Sequence, residues 1–415
     1  MDPRGRALLG MGLVRPAAER LGWIAMSSYD TRSDEATDPN GPALAAMLTD
    51  AQRQLAIDPR RVYLAGFSGT ARLAWIYAFR LRGHVAGILG FGAGFPIPFE
   101  LPASLTEPAP AYFGGAGTTD FNYTDLRNLE RRLAGSGLAH RLEWFDGPHD
   151  WPPEPIVAQG LAWMELQAMR AGLRERDHPW IDSLFRAELD SAAALERGGY
   201  LFAAWERSVA TARDFAGLRE VSGAAARAAA LADTAPVIAV RRFLEAEAQR
   251  EHDYIELTTA FFMETRRSPA PPRVDRAVER LLIPKLERQA EERDDTLAAQ
   301  AARRQLERLF TDAAFYETRE YLAAGEASRA LALLDLAGEI KPGAPILCYH
   351  RARALLQQGR ADQAVAQLGC WADAVESPVA RLEQDTTLAP LRRHPAYQAL
   401  LARLRRPAAV GVPRH

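Results

Sequence analysis

Apolar and polar positions over the first 170 residues form short apolar runs separated by stretches of helical period. The runs Trp23–Ser28, Val62–Phe67, Val85–Gly90, Ala111–Gly114 and Arg141–Phe145 have strand length, and turn-forming residues bound them. Between the first two lies Pro42–Ile57, where Leu44, Met47, Leu48, Ala51 and Leu55 recur at helical spacing. Asn40 is placed to cap this helix and Asp58-Pro59 to end it. The same period predicts helices at Thr70–Leu81, Tyr123–Leu133 and Pro155–Met169. Strands alternating with helices of this length read as βαβ units, so an α/β domain with a parallel sheet is expected over residues 1–172.

From about Pro179 the strand signals vanish, and Ala-, Leu-, Glu- and Arg-rich helical patterns run to the end. The Pro-rich stretch Arg267–Arg273 reads as a loop between helices. Near the C-terminus, Tyr321, Gly325, Ala330 and Leu334 recur as Leu355, Gly359, Ala364 and Leu368, each 34 residues on. Small residues at the Gly and Ala places let two antiparallel helices approach closely, and Pro342 falls where such a unit ends. Residues Gly325–Pro342 and Gly359–Trp371 resemble tetratricopeptide repeats. That resemblance implies an all-α helical-repeat domain over 311–405 that offers a surface to a protein partner. Residues 180–310 read as helical, with any repeats too degenerate to align, and Leu388–Leu401 reads either as a capping helix pair or as a plain amphipathic helix.

Composition narrows the function classes. Hydrophobic residues make up 48% and charged residues 25%, the ordinary globular range, and the net charge is −2. No basic stripe suggests nucleic acid, and no run reaches the roughly 18 apolar residues of a membrane helix. The longest candidate run, Val85–Phe99, is broken by glycines and prolines. Cys348 and Cys370 fall on apolar helix faces and are expected to be two buried thiols. His84 and His140 sit at element boundaries and are expected to be solvated; His252, His350 and His394 lack ligand-spaced neighbours, so no metal and no cofactor is expected.

The chemistry concentrates in three loops. Arg61–Thr70 is an apolar strand that runs into Gly-Phe-Ser-Gly-Thr and then a helix. This resembles the nucleophile elbow of α/β-hydrolases, Gly-x-Ser-x-Gly between strand and helix, which needs small residues at Gly66 and Gly69. Thr70 departs from the family's glycine. The resemblance implies that Ser68 is a nucleophile with an acid and a histidine in later loops. Ala111–Asp120 is a strand and glycine-rich loop delivering Asp120, and Arg141–His149 is the next strand and loop, delivering His149. The segment around His149 resembles the esterase, phospholipase and dienelactone-hydrolase branch of the superfamily. In that reading Ser68 attacks an acyl carbon, His149 moves the proton and Asp120 holds the imidazole. The Gly69 N–H is half of an oxyanion hole.

Other readings of the same residues stand beside this one: a turn serine, a surface histidine, and Asp120 as the N-cap of the helix at Tyr123–Leu133. Asp125, Asp146 and Asp150 are rival acids. Phe67, Phe121 and Trp151 are placed on the pocket wall or in ordinary packing. Asp2-Pro-Arg-Gly5 resembles the family's oxyanion loop, which makes Arg4 and Gly5 candidates for the second donor. In the family a strand precedes that loop, so the natural chain is expected to begin upstream, with an export signal as one option; as given, it reads as cytoplasmic. The expected function is a serine esterase working through an acyl-enzyme on a small-molecule ester, with a hydrolase scaffold retired to protein interaction as the alternative.

Overall fold

The computed structural model describes residues 1–33, 38–96, 109–292 and 295–405; the end of the Val85–Phe99 run lies outside them. The chain divides into two compact units, Met1–Gln249 and Arg250–His415.

In the first unit, β1 (Tyr63–Phe67), β2 (Gly87–Phe91), β3 (Ala111–Gly117) and β4 (His140–Phe145) form a parallel sheet in that order. Leu64 stands opposite Ile88, Ile88 opposite Tyr112, and Tyr112 opposite His140. Five helices accompany it: α1 (Ala7–Leu21), α2 (Asn40–Gln54), α3 (Gly69–Arg80), α4 (Tyr123–Ala134) and α5 (Glu154–Arg170). Side chains alternate across the strands and so build two cores. Leu64, Ile88, Tyr112 and Leu142 pack with Leu44 of α2, Trp75 of α3 and Leu126 and Leu129 of α4. Leu89, Phe91 and Phe113 pack on the other face with Ala17 and Ala18 of α1 and Val157 and Leu161 of α5. The result is a mixed α/β fold with helices on both faces of the sheet.

Two local expectations change. Helix α1 escaped the periodicity reading because it contains Pro16 and its N-cap residue, Arg6, makes no side-chain cap hydrogen bond; it ends on Gly22 in the left-handed region. Trp23–Ser28 forms no strand among the described residues. Its period-two pattern is real: Ile24 and Met26 are exposed, while Trp23 and Ala25 turn inward. Trp23 stacks on Tyr63 at 4.3 Å and donates its indole N–H to the buried Glu165 carboxylate. The segment and β1 both line a cavity of about 470 Å³, and no ladder hydrogen bonds join them.

After α5 come α6 (His178–Arg197), α7 (Leu201–Asp214), α8 (Ser222–Ala232) and α9 (Ala235–Arg267), and the division between the units falls within α9. Arg141 of β4, 3% exposed, donates to Glu143 at 2.8 Å, to Glu188 of α6 at 3.0 Å and to Asp214 of α7 at 3.3 Å. Arg207 of α7 returns to Glu143 and Glu188. These charges bind α6 and α7 to the sheet. His140, expected in solvent, is buried beside them because the arriving helices cover the start of β4. Burial, then the Arg213 guanidinium, pulls its pKa below the ordinary value.

The second unit is all helical: α10 (Val274–Arg280), α11 (Ile283–Ala290), α12 (Leu297–Thr311), a π-helical turn at Asp312–Glu317, α13 (Thr318–Ala323), α14 (Ala327–Ile340), α15 (Pro345–Gln357), α16 (Ala361–Asp373), α17 (Pro378–Gln384) and α18 (Pro395–Arg405). Gly325 and Gly359 take positive φ at equivalent turns, and Ala330, Ala364, Leu334 and Leu368 are all buried. Cys348 and Cys370 are joined in a disulfide rather than left as thiols. Cys348 is half-buried against the helical core but Cys370 is exposed; α15 and α16 are neighbours, and the Cα atoms stand 6.1 Å apart, within bridging range. Among the described residues no single helix is long and apolar enough to cross a membrane.

Replacing Arg141 with Leu strips the buried Glu188 and Asp214 and the half-buried Glu143 of their shared cation. Urea denaturation at pH 7 is expected to show a loss of about 3–5 kcal/mol. Burial opposes the Glu188 carboxylate, yet Arg141 and Arg207 outweigh it and hold its pKa below the ordinary value. A depressed carboxyl pKa adds stability above the unfolded value of about 4.3, and that contribution disappears as pH falls through the folded value. Glu188→Gln should therefore flatten the stability profile below about pH 4.3; an unchanged profile would remove Glu188 from the network.

Candidate active site

All four strands run the same way, so their following loops gather at one edge of the sheet. Ser68 leaves β1 with φ 53° and ψ −128°, a conformation non-glycine residues avoid, and α3 starts immediately after it. Its N–H is held by the Phe91 carbonyl at 2.8 Å. A Cβ at Gly66 would come within 2.4 Å of the Thr70 carbonyl oxygen, so only glycine allows this turn. Thr70, the departure from the motif, works as a tie. Its Oγ1 accepts the Phe67 N–H at 3.1 Å and stands 2.8 Å from the carbonyls of Phe67 and Met1.

Asp120 follows β3 and is fully buried. Its carboxylate accepts the Asn122 N–H at 2.8 Å and faces His149 Nδ1 with both oxygens at 2.9 Å. His149 follows β4, and its Nε2 lies 2.9 Å from Ser68 Oγ. The acid loop and the histidine loop are joined: Thr119 donates to the Gly147 carbonyl through both N–H and hydroxyl, and Thr118 N–H donates to Phe145. The three residues stand in one hydrogen-bonded line, with Phe67 4.7 Å and Phe121 4.3 Å from the imidazole by ring centroids. Trp151 stacks behind Phe67 at 5.4 Å.

The rival acids are elsewhere. Asp125 accepts the Gly94 N–H at 3.1 Å and pairs with Arg72, while Asp146 and Asp150 are exposed. The N–H groups of the oxyanion candidates at the chain start are engaged within their own loop: the Arg4 N–H donates to Asp2 Oδ1 at 2.8 Å and the Gly5 N–H to the Asp2 carbonyl at 3.2 Å. The cause is Asp2, 1% exposed, whose carboxylate folds the loop around itself and also takes the Trp151 indole N–H at 3.0 Å. Burial opposes its charge, but hydrogen bonds from Arg6, Trp151 and Arg4 outweigh that and keep the carboxyl below its ordinary range.

Sequence reasoning missed Asp2 as an organiser, Asn122 and Gly92. Asn122 Nδ2 donates to the Gly92 carbonyl at 2.8 Å. A Cβ on Gly92 would stand 2.5 Å from Phe67 Cε2 and 3.2 Å from His149 Cε1. The glycine run after β2 was a usable signal for this close approach; nothing in the sequence pattern marked Asn122. Comparison of the chain with known protein families, with curated proteins and with solved structures finds no match.

Gly117 sets the distance between the acid and histidine loops, because a Cβ there would meet the Gly147 carbonyl oxygen at 2.0 Å. Gly117→Ala is expected to destabilise the fold by about 1–3 kcal/mol. It should also abolish the slowly exchanging imidazole proton between His149 and Asp120 in NMR spectra. A variant that keeps both the melting temperature and that resonance would show the loops to be independent.

Proposed function

We propose that the chain is a serine hydrolase that cleaves a carboxylic ester. The observation that carries this reading is the line Ser68 Oγ to His149 Nε2 to Asp120, built on a strained strand-to-helix turn. The chain order Ser, Asp, His, each at the end of a parallel strand, supports an α/β-hydrolase of the esterase type. The 34-residue recurrence in the second unit supports a tetratricopeptide-like partner surface. Ser68 Oγ attacks the acyl carbon while His149 Nε2 takes its proton; the Asp120 carboxylate holds the imidazole tautomer and stabilises the cation that forms. His149 then protonates the departing alcohol, leaving Ser68 acylated. Water enters, gives a proton to His149 and attacks the acyl carbon, and Ser68 is released with its proton restored. The Gly69 N–H, at the start of α3, is the nearby donor for the developing oxyanion.

One observation favours a second reading, a scaffold retired from catalysis: the N–H groups of Arg4 and Gly5 are both committed to Asp2. Labelling with a fluorophosphonate probe and hydrolysis of a p-nitrophenyl ester separate the two. The expected result is covalent labelling of the wild type and none of Ser68→Ala. Ser68→Ala and His149→Ala should each lose on the order of 10⁴-fold in kcat, with Asp120→Ala retaining more. Labelling that survives in Ser68→Ala would displace the nucleophile, and an unlabelled wild type would favour the retired scaffold.

A further inference from the structure

The cavity of about 470 Å³ beside β1 falls within the size range of small-molecule sites. Along β1 and the residues just before it, the wall extends from Arg61 to Ala65, roughly 13 Å at the ~3.3 Å rise of a strand. Across from it stand the segment Trp23–Ser28 and apolar side chains of α1 and α2, among them Met11, Met47 and Leu48. Unbranched thioether side chains adapt to a flexible apolar ligand. Ile24 and Met26 line the cavity and are also 51% and 44% exposed, so they mark an apolar mouth to solvent. That wall has no ladder hydrogen bonds to β1, so it can part for entry.

The Arg61 end of the cavity is polar. The Tyr63 hydroxyl lies beside the Arg61 guanidinium, yet neither that oxygen nor Arg61 Nε is in hydrogen-bonding geometry with any described residue, and both atoms are buried. Burial pushes the Tyr63 pKa above its ordinary value, so the phenol keeps a proton to donate. Positive charge is in surplus here. The fully buried Glu165 carboxylate takes Arg61, Arg174 and the Trp23 indole N–H, and Asp58 pairs with Arg60 at 2.9 Å. Three guanidinium groups thus meet two carboxylates. The remaining carboxylate on the wall, Asp2, belongs to the opposite end, where the Met1 amine donates to the Ala65 carbonyl, and Arg6 and Trp151 engage it. Buried donors without acceptors are uncommon and unfavourable, and a cationic pair of them on an apolar cavity points to an anionic acceptor supplied from outside.

We propose that this cavity binds a long-chain carboxylate, its hydrocarbon tail along the apolar walls and its carboxylate received by Arg61 Nε and the Tyr63 hydroxyl. The single surplus positive charge matches the single negative charge of such a ligand, and the guanidinium donates to a carboxylate with charge assistance. Ser68, Asp120 and His149 do not line the cavity, so this is a site apart from their hydrogen-bonded line. The proposal is independent of the hydrolase reading.

The test titrates the full chain with sodium dodecanoate below its micelle concentration, read by isothermal titration calorimetry. The wild type is expected to bind one molecule and to ignore dodecyltrimethylammonium. Decanoate, two methylenes shorter, should bind about tenfold more weakly, since each buried methylene contributes about fourfold. Ala65→Leu, or Ala25→Leu should circular dichroism show the first to unfold, puts methyl groups into the cavity and should weaken dodecanoate about tenfold or more. Arg61→Gln should erase the preference for dodecanoate over dodecanol. Should it unfold, Tyr63→Phe decides, because it keeps the ring that stacks on Trp23; a loss of about fivefold is expected. Ser68→Ala should bind dodecanoate as the wild type does. A wild type that binds no dodecanoate would overturn the proposal, as would full affinity in the folded cavity-filling variant or equal binding of the dodecyl cation. Loss of binding in Ser68→Ala would move the ligand to the serine and overturn it too. So would capture of the chain by phosphatidylglycerol vesicles with no free dodecanoate bound.

Discussion

The ladder that holds four strands parallel and in sequential order is the constraint on which the rest of the first unit depends. Because every strand ends at the same edge, the loops after β1, β3 and β4 arrive side by side, and Ser68, Asp120 and His149 meet although up to 81 residues separate them. The loop after β2 takes part through backbone alone: the Phe91 carbonyl receives the Ser68 N–H, and the Gly92 carbonyl receives Asn122. Any slip of one strand by a residue would exchange the two core faces and withdraw one member of the line.

Close backbone approach is the second requirement. Gly66, Gly92 and Gly117 each stand where a Cβ would strike a neighbour within 2.5 Å. They allow Ser68 to adopt its strained turn and let the two loops carrying Asp120 and His149 share hydrogen bonds. Strain of that kind survives only where surrounding structure holds it. Thr70 contributes here, tying the elbow to Phe67 and to the chain start, and Asp2 extends the tie to Trp151 behind Phe67.

Charge organises what hydrophobic packing leaves open. Arg141 reaches out of β4 to α6 and α7, so helices that look in sequence like the beginning of a separate region are held to the sheet. In the second unit, Arg304 and Glu251 form a comparable buried pair, 5% and 6% exposed. Such pairs specify which helix meets which, because breaking one leaves an uncompensated charge in a low-dielectric interior. The disulfide between Cys348 and Cys370 plays the same part for α15 and α16 by a covalent route.

The order of strands and helices, the elbow at Ser68 and the positions of Asp120 and His149 were legible in the sequence, because hydrophobic period and glycine placement act locally. The 34-residue recurrence was legible for the same reason: equivalent turns at Gly325 and Gly359 need the same residue. What depends on neighbours distant in sequence was not legible. Trp23–Ser28 has the alternation of a strand, but a strand exists only when another pairs with it, and none of the four strands does so. That the N–H groups of Arg4 and Gly5 face Asp2 depends on Asp2 being buried and turned toward them. Whether Cys348 and Cys370 are thiols or a disulfide depended on which helices become neighbours. Short-range chemistry resides in the order of residues, whereas partnership across space requires the folded backbone.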